Sequence, residues 1–254
     1  MFQASISKSL TFKKIIEAIR ELVVDVNFEV NQNGLALQAM DASHVALVSF
    51  LLRAEEFEEF ECHQPQIFGI NIGNLAKILK CAENDDRITL RAESGSSKLT
   101  FIFEGKQDEK ISQFNLNLMS LDTEQLGIPD HDYTAIVHLK SDEFSRICRE
   151  LSQISDTLSV DVDKNKITFR VGGDLGDGEI TLKHRETGRN PTVIEAHEPV
   201  ICSYAMRYLN LFNKSSALSD EITLSISENL PLIVHFQFEL GYIKYYLAPK
   251  VDDD

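Results

Sequence analysis

Lysine and arginine gather in four stretches of the chain, in three of which charged residues recur every three or four positions (Lys13 with Glu17 and Arg20, Lys77 with Lys80, Arg146 with Arg149), and cations set out in this way are suited to holding phosphate. Lys13, Lys14 and Arg20 lie in the stretch Ser9 to Arg20, and Lys77 and Lys80 lie in Ile72 to Cys81. Arg146 and Arg149 lie in Ser141 to Gln153, and Arg207 and Lys214 in Tyr204 to Ser216. Residues at these spacings share one face of a helix. The other face is apolar, through Phe12, Ile15, Ile16 and Ile19 in the first stretch and Phe144, Ile147, Cys148 and Leu151 in the third. All four stretches are therefore expected to be helices laid on a core.

Net charge sharpens the reading. At −15 over 254 residues, a chain with its charge evenly spread would repel a polyanion. The four helical windows, however, carry +2, +2, −1 and +2, so the remainder carries −20. Basic stripes from separate helices, gathered on one surface, would add to a positive field that grips a nucleic-acid backbone weakly and without reading bases. No helix-turn-helix or zinc module is present to read them.

Other chemistry is weaker. Gly172 to Gly178 is glycine-rich, but a strand pattern follows it instead of a helix, and no Gly-Lys-Ser/Thr completes a phosphate loop, so a turn is expected. The run Asp161-Val162-Asp163-Lys164-Asn165 opens like a calcium loop, yet Lys166 and Gly172 stand where such a loop needs glycine and glutamate. The seven histidines show no paired ligand spacing, and His138 and His235 fall within strand patterns. Cys62, Cys81, Cys148 and Cys202 are scattered without a C-x-x-C pair, the usage of reduced thiols, and each is expected to be buried and inert. No catalytic residue, metal ligand or cofactor is assigned. The N-terminal residues do not read as a secretion signal and no apolar run is long enough to span a bilayer, so a soluble chain is expected.

The elements that position these cations come in duplicate. Phe12-Lys13-Lys14-Ile15 aligns with Phe144-Ser145-Arg146-Ile147 at an offset of 132, and Asn33-Gly34-Leu35-Ala36-Leu37 aligns with Asn165-Lys166-Ile167-Thr168-Phe169 at the same offset. Ile88-Thr89-Leu90 aligns with Ile222-Thr223-Leu224 at 134. Alternating segments such as Lys166 to Val171 and Glu221 to Ile226 read as half-buried strands joined by short turns. The expected fold class is α+β: two similar domains of antiparallel sheet with two helices each, over 1–117 and 134–254, joined by a connector over 118–133.

Four ordered segments carry a more specific likeness. Leu35 to Val45, Lys77 to Ala82, Leu126-Gly127-Ile128-Pro129 and Lys244 to Lys250 resemble matching segments of the proliferating cell nuclear antigen family, the eukaryotic DNA sliding clamps, and the resemblance covers essentially the whole chain. It implies the DNA-clamp fold in a head-to-tail homotrimeric ring, with the helices as inner wall and the nine cations named above facing duplex DNA without sequence preference. It implies pairing of the edge strand near Glu109 to Asn117 with the strand near Leu175 to Lys183 of the next subunit. It also implies a nuclear processivity factor for DNA polymerase that recruits clamp loader, nuclease and ligase through short peptides.

The peptide pocket implied by the resemblance takes Met40, His44, Val45, Leu47, Leu126 and Ile128 from the first part of the chain and connector. Pro129, Pro231, Tyr246, Ala248 and Pro249 complete it. Val45 and Leu47 also fit a plain core role. Lys164 matches a lysine that the family uses for ubiquitin-type modification; on its residues alone it is an exposed turn lysine. Two departures stand out: Arg20 where lysine is common, and a short, partly basic His184 to Asn190 where relatives often carry acids. Two rival readings remain, an acidic β-rich enzyme binding a phosphate-bearing ligand at Gly172 to Gly178, and a checkpoint-type clamp subunit that assembles only with different chains.

Overall fold

The computed structural model describes residues 1–105, 110–122, 127–128 and 131–251. The chain divides into two compact units: Met1–Ala42 with Val48–Gly127 and Phe238–Ile243, and Ser43–Leu47 with Ile128–Gln237 and Lys244–Asp254.

The first half runs β1 (Phe2–Ile6), α1 (Ser9–Ile19), β2 (Asp25–Asn31), β3 (Gly34–Met40), β4 (Ala46–Arg53), β5 (Glu59–Cys62), β6 (Gln66–Asn71), α2 (Ile72–Leu79), β7 (Arg87–Ala92), β8 (Lys98–Glu104) and β9 (Ile111–Asn117). The second repeats that order: β10 (Ala135–Lys140), α3 (Ser141–Leu151), β11 (Thr157–Val162), β12 (Lys166–Gly173), β13 (Gly176–Lys183), β14 (Thr192–Ala196), β15 (Val200–Ala205), α4 (Met206–Phe212), β16 (Glu221–Ile226), β17 (Leu232–Phe238) and β18 (Gly241–Leu247). Strand order repeats as well. The run β5-β1-β7-β8-β9 corresponds place for place to β14-β10-β16-β17-β18, and β4-β3-β2-β6 to β13-β12-β11-β15. The strands of both halves pair antiparallel, as in β1 with β7, β2 with β3, β10 with β16 and β11 with β12, as short turns between strands demand.

The two leading helices are fastened identically. Ser9 and Ser141, 132 residues apart, are buried where α1 and α3 begin. Ser9 Oγ donates to the carbonyl of Glu83 and Ser141 Oγ to that of Ser219. Their backbone amides donate to Asp86 and Asp220 at 2.8 and 3.0 Å. Each serine thus satisfies helix-start donors and ties its helix to the loop after the second helix of its half.

Beneath the helices, the apolar faces read from the spacing are buried: Phe12, Ile15, Ile16 and Ile19 are fully inaccessible, and Phe144, Ile147, Cys148 and Leu151 are at most 4% exposed. Phe144 meets Phe169 at 5.9 Å, and Phe212 stacks on Tyr245 at 4.4 Å. Burying one such ring stabilises its unit by about 2–3 kcal/mol.

The fourth helix differs from expectation. Tyr204 and Ala205 belong to β15, because Tyr204 pairs with Leu158 and Ala205 with Thr157 of β11. The helix covers Met206–Phe212 and then tightens to a 3-10 stretch over Asn213–Ala217, which carries Lys214. The cysteines also depart in part: Cys148 and Cys202 are buried, but Cys62 is half-buried and Cys81 is exposed just past α2. Burial pushes the Cys148 thiol up to about 12, and the neighbouring Asn213 side chain only partly offsets it.

Candidate nucleic-acid and peptide interfaces

In the first unit, α1 and α2 lie side by side around a cleft of about 240 Å³, lined by Lys13, Ile16, Glu17, Ala76, Leu79 and Lys80. The structure therefore brings Lys13 and Lys80, 67 positions apart in sequence, to one cleft. Their commitments differ. Lys13 is half-buried, its ammonium donating to the carbonyl of Ala82 and, at 3.2 Å, to Asn84 Oδ1. Lys77 and Lys80 are exposed on α2 and at its C-terminus, where cations also suit the helix dipole. Lys14 is half-buried, and Arg20, which closes α1, forms an exposed ion pair with Glu17 at 2.7 Å. An exposed pair of this kind adds little stability, but it offsets part of the charge that Arg20 presents.

In the second unit, α3 packs against α4 and the 3-10 stretch that follows. Arg146 Nη2 donates to Glu143 Oε1 at 2.7 Å, with Glu150 at 4.0 Å. Arg149 is exposed. Arg207 is exposed, bonds the hydroxyl of Tyr208 at 2.9 Å and lies 4.6 Å from the centre of that ring, an arrangement that orients the guanidinium. Lys214 is exposed.

Most of the expected peptide-pocket residues fall in this second unit, including the short segment Ser43–Leu47. His44 is exposed with φ of +57°, a left-handed turn that a side chain adopts at some cost. Next to it, Val45 is half-buried and its carbonyl accepts from Ala248 N at 3.0 Å, which fixes the C-terminal segment beside this turn. Tyr246 and Ala248, two apart, share one side of the extended chain, with Tyr246 half-buried and Ala248 exposed. Pro231 is exposed, Pro249 half-buried, and Ile128 37% exposed. Leu47 is only 6% exposed, so the core reading is the one that fits it. Met40 is half-buried at the end of β3 in the first unit. Leu126 and Pro129 lie outside the described residues.

Tyr133 joins this group without having been singled out by its sequence. Its hydroxyl donates to the Pro231 carbonyl at 2.9 Å, and burial, with the neighbouring Tyr246 second, pushes its phenol up to about 12. Its place at the edge of the connector is the one signal the sequence offers. At the connector's other end, Met119 bridges Gly69 of β6; a Cβ at Gly69 would meet the Met119 carbonyl oxygen at 2.1 Å, so only glycine admits this approach. Asn27 Nδ2 reaches the Leu121 carbonyl at 3.4 Å.

Lys164 is exposed at the tip of the β11–β12 turn, where Asp163 Oδ1 accepts from the amides of Asn165 and Lys166 at 2.7 and 3.0 Å. Asp161 is paired with Arg170 at 2.7 Å. The calcium-like carboxylates are thus engaged within the hairpin. The glycine-rich segment is a hairpin too: Gly173 pairs with Gly176 across Asp174-Leu175, and Gly176 has φ of +144°. Strand, turn and strand offer no helix N-terminus to a phosphate, and the enzyme reading has no support.

Two family models match the chain in tandem. One, described as Proliferating cell nuclear antigen, N-terminal domain, matches residues 1–126, and the other, described as Proliferating cell nuclear antigen, C-terminal domain, matches residues 127–250.

Proposed function

The chain belongs to the proliferating cell nuclear antigen family and is a DNA sliding clamp, and from that premise we propose that three copies close head to tail around duplex DNA. The cations of α1 to α4 face the sugar-phosphate backbone, holding it through charge alone so that the clamp slides. Residues 118–133 form the connector between clamp domains over 1–117 and 134–254. The clamp acts in the nucleus as a processivity factor, and polymerase, clamp loader, nuclease and ligase dock through an apolar peptide segment. That segment lies against His44, Val45, Ile128, Pro231, Tyr246 and Ala248, and Lys164 is the position open to ubiquitin-type modification.

The observation that carries the ring is the treatment of sheet edges. An unpaired edge is a liability that proteins guard with charge or cover with chain. Glu59 and Glu61 are exposed along the edge strand β5, Met119 lies on β6, and Lys250 N donates to the Ser203 carbonyl on β15 at 2.7 Å. Edge strand β9, in contrast, has no charged residue from Ile111 to Asn117, and Ile111 is 64% exposed. At the edge strand β13, no residue is fully buried, and Ile180 and Leu182 are half-exposed. The uncharged edge β9 in one unit, and in the other β13, which carries Asp177, Glu179 and Lys183 with Ile180 and Leu182 between them, are the two strands that a heterologous contact would join.

Mass in solution tests the reading. Light scattering is expected to give about 86 kDa for a trimer of 28.7 kDa chains, and the loaded clamp should stay on circular DNA and run off linear DNA. A stable 28.7 kDa species with no topological retention would overturn it.

A further inference from the structure

Among the four helical windows, the one over α3 is acidic, at −1, and its Arg146 is tied to Glu143. The loop that follows β13 lies against this same helix. Residues His184 to Pro191 form a closed tip: Arg185 and Thr192 exchange backbone hydrogen bonds at 2.8 Å each way, His184 Nδ1 accepts from Ile194 N at 3.0 Å, and Arg185 Nη2 donates to the Asn190 carbonyl at 3.3 Å. Gly188, at φ of +118°, makes the reversal. The tip is clipped to α3 by Asn190 Nδ2, which donates to Glu143 Oε2 at 3.1 Å. Glu143 therefore uses one oxygen for Arg146 and the other for Asn190, and its side chain is only 13% exposed.

The clip fixes the neighbour of Asn190. Arg189 is exposed and makes no hydrogen bond or ion pair among the described residues. Consecutive Cα atoms are about 3.8 Å apart, so a free guanidinium is held within one residue of the helix whose own charge is the least favourable to phosphate. A loop whose backbone is already tied down loses little further backbone freedom when a side chain it carries meets a ligand. We infer that Arg189, positioned by the Asn190–Glu143 clip, contacts the DNA backbone beside α3 and supplies the positive charge that this helix lacks. Arg185 is the internal brace of the loop, and the clip borders a cleft of about 350 Å³ lined by Lys140, Asp142, Glu143, Arg146, Asn190 and Asp220.

This inference rests on the clamp reading, and the test separates the two. Binding of the full chain to a fluorescein-labelled duplex is followed by anisotropy across a salt series for wild type, Arg189→Ala, Asn190→Ala, Lys77→Ala and Lys164→Ala. Arg189→Ala is expected to weaken binding roughly threefold at low salt and to make the plot of log affinity against log salt shallower by about 0.9 for each phosphate that the guanidinium neutralises. Asn190→Ala, which leaves the charge unchanged but frees the loop, is expected to give up part of the same affinity, whereas Lys164→Ala keeps all of it. If Lys77→Ala weakens binding while Arg189→Ala leaves affinity and slope as in wild type, the inference falls and the clamp reading stands. An equal weakening in Lys164→Ala would reduce the effect to net charge and also overturn the inference. Wild type without measurable DNA binding at low salt would overturn both.

Discussion

The ammonium of Lys13 on α1 reaches the carbonyl oxygen of Ala82, in the segment just beyond α2, so one helix of the first unit caps the end of the other. The carbonyls past a helix C-terminus lack intrahelical donors, and a cation there satisfies both the hydrogen bond and the dipole. Lys13→Ala is expected to cost about 1 kcal/mol in urea denaturation, more than an exposed lysine should. An unchanged midpoint would mean the cap contributes nothing.

Among the described residues the ammonium groups of Lys77 and Lys80 make no hydrogen bond or ion pair, so their charge is available to a ligand. Reversing both, as Lys77→Glu with Lys80→Glu, is expected to lower stimulation of polymerase processivity at physiological salt while the assembly keeps its mass. Lys13→Ala, whose ammonium is already engaged, should weaken DNA binding less than Lys80→Ala. Undiminished stimulation by the double reversal would contradict a DNA-facing role for α2.

Edge β9 is expected to be the adhesive strand because it lacks the carboxylates that guard β5. Gln113→Glu with Asn115→Glu puts equivalent charges on exposed positions of β9. The predicted outcome is a shift in light scattering from about 86 kDa toward the 28.7 kDa chain, with circular dichroism unaltered. A trimer that survives this change would place the subunit interface elsewhere.

His235, on β17, is half-buried, and burial pushes its imidazole down to about 4, with Lys244 and His138 reinforcing the shift and the bond to Gln237 opposing it. An unfolded histidine titrates near 6.5. Between these values the unfolded chain binds more protons than the folded one, so stability is complete above about pH 6.5 and is lost as pH falls toward 4. After allowance for solvent screening the loss is on the order of 1–2 kcal/mol, or roughly 3–6 °C in Tm. His235→Gln should lessen the fall in Tm between pH 7 and 4.5 by that amount. Parallel curves for the two proteins would rule out His235 as a contributor.

Local patterns in the chain reported what each element must bury, and they reported it twice. Ser9–Ile19 and Ser141–Leu151 have the same length at the offset of 132 read from Phe12 and Phe144, because a stripe of apolar residues at helical spacing has one stable way to meet a core. The turns at Lys164 and Gly172 to Gly178 were legible from their local residue types. Packing alone settled which groups lie opposite one another. Tyr204 has helical neighbours in sequence but joins β15, since the ladder to β11 outweighs local preference. Lys13 meets a carbonyl 69 residues away, Leu47 faces the core, Tyr133 holds Pro231, and Asn190 clips a loop to α3. Periodicity specifies that a face is covered, whereas the identity of a long-range partner depends on how separate elements close on each other, and no spacing within one element encodes that.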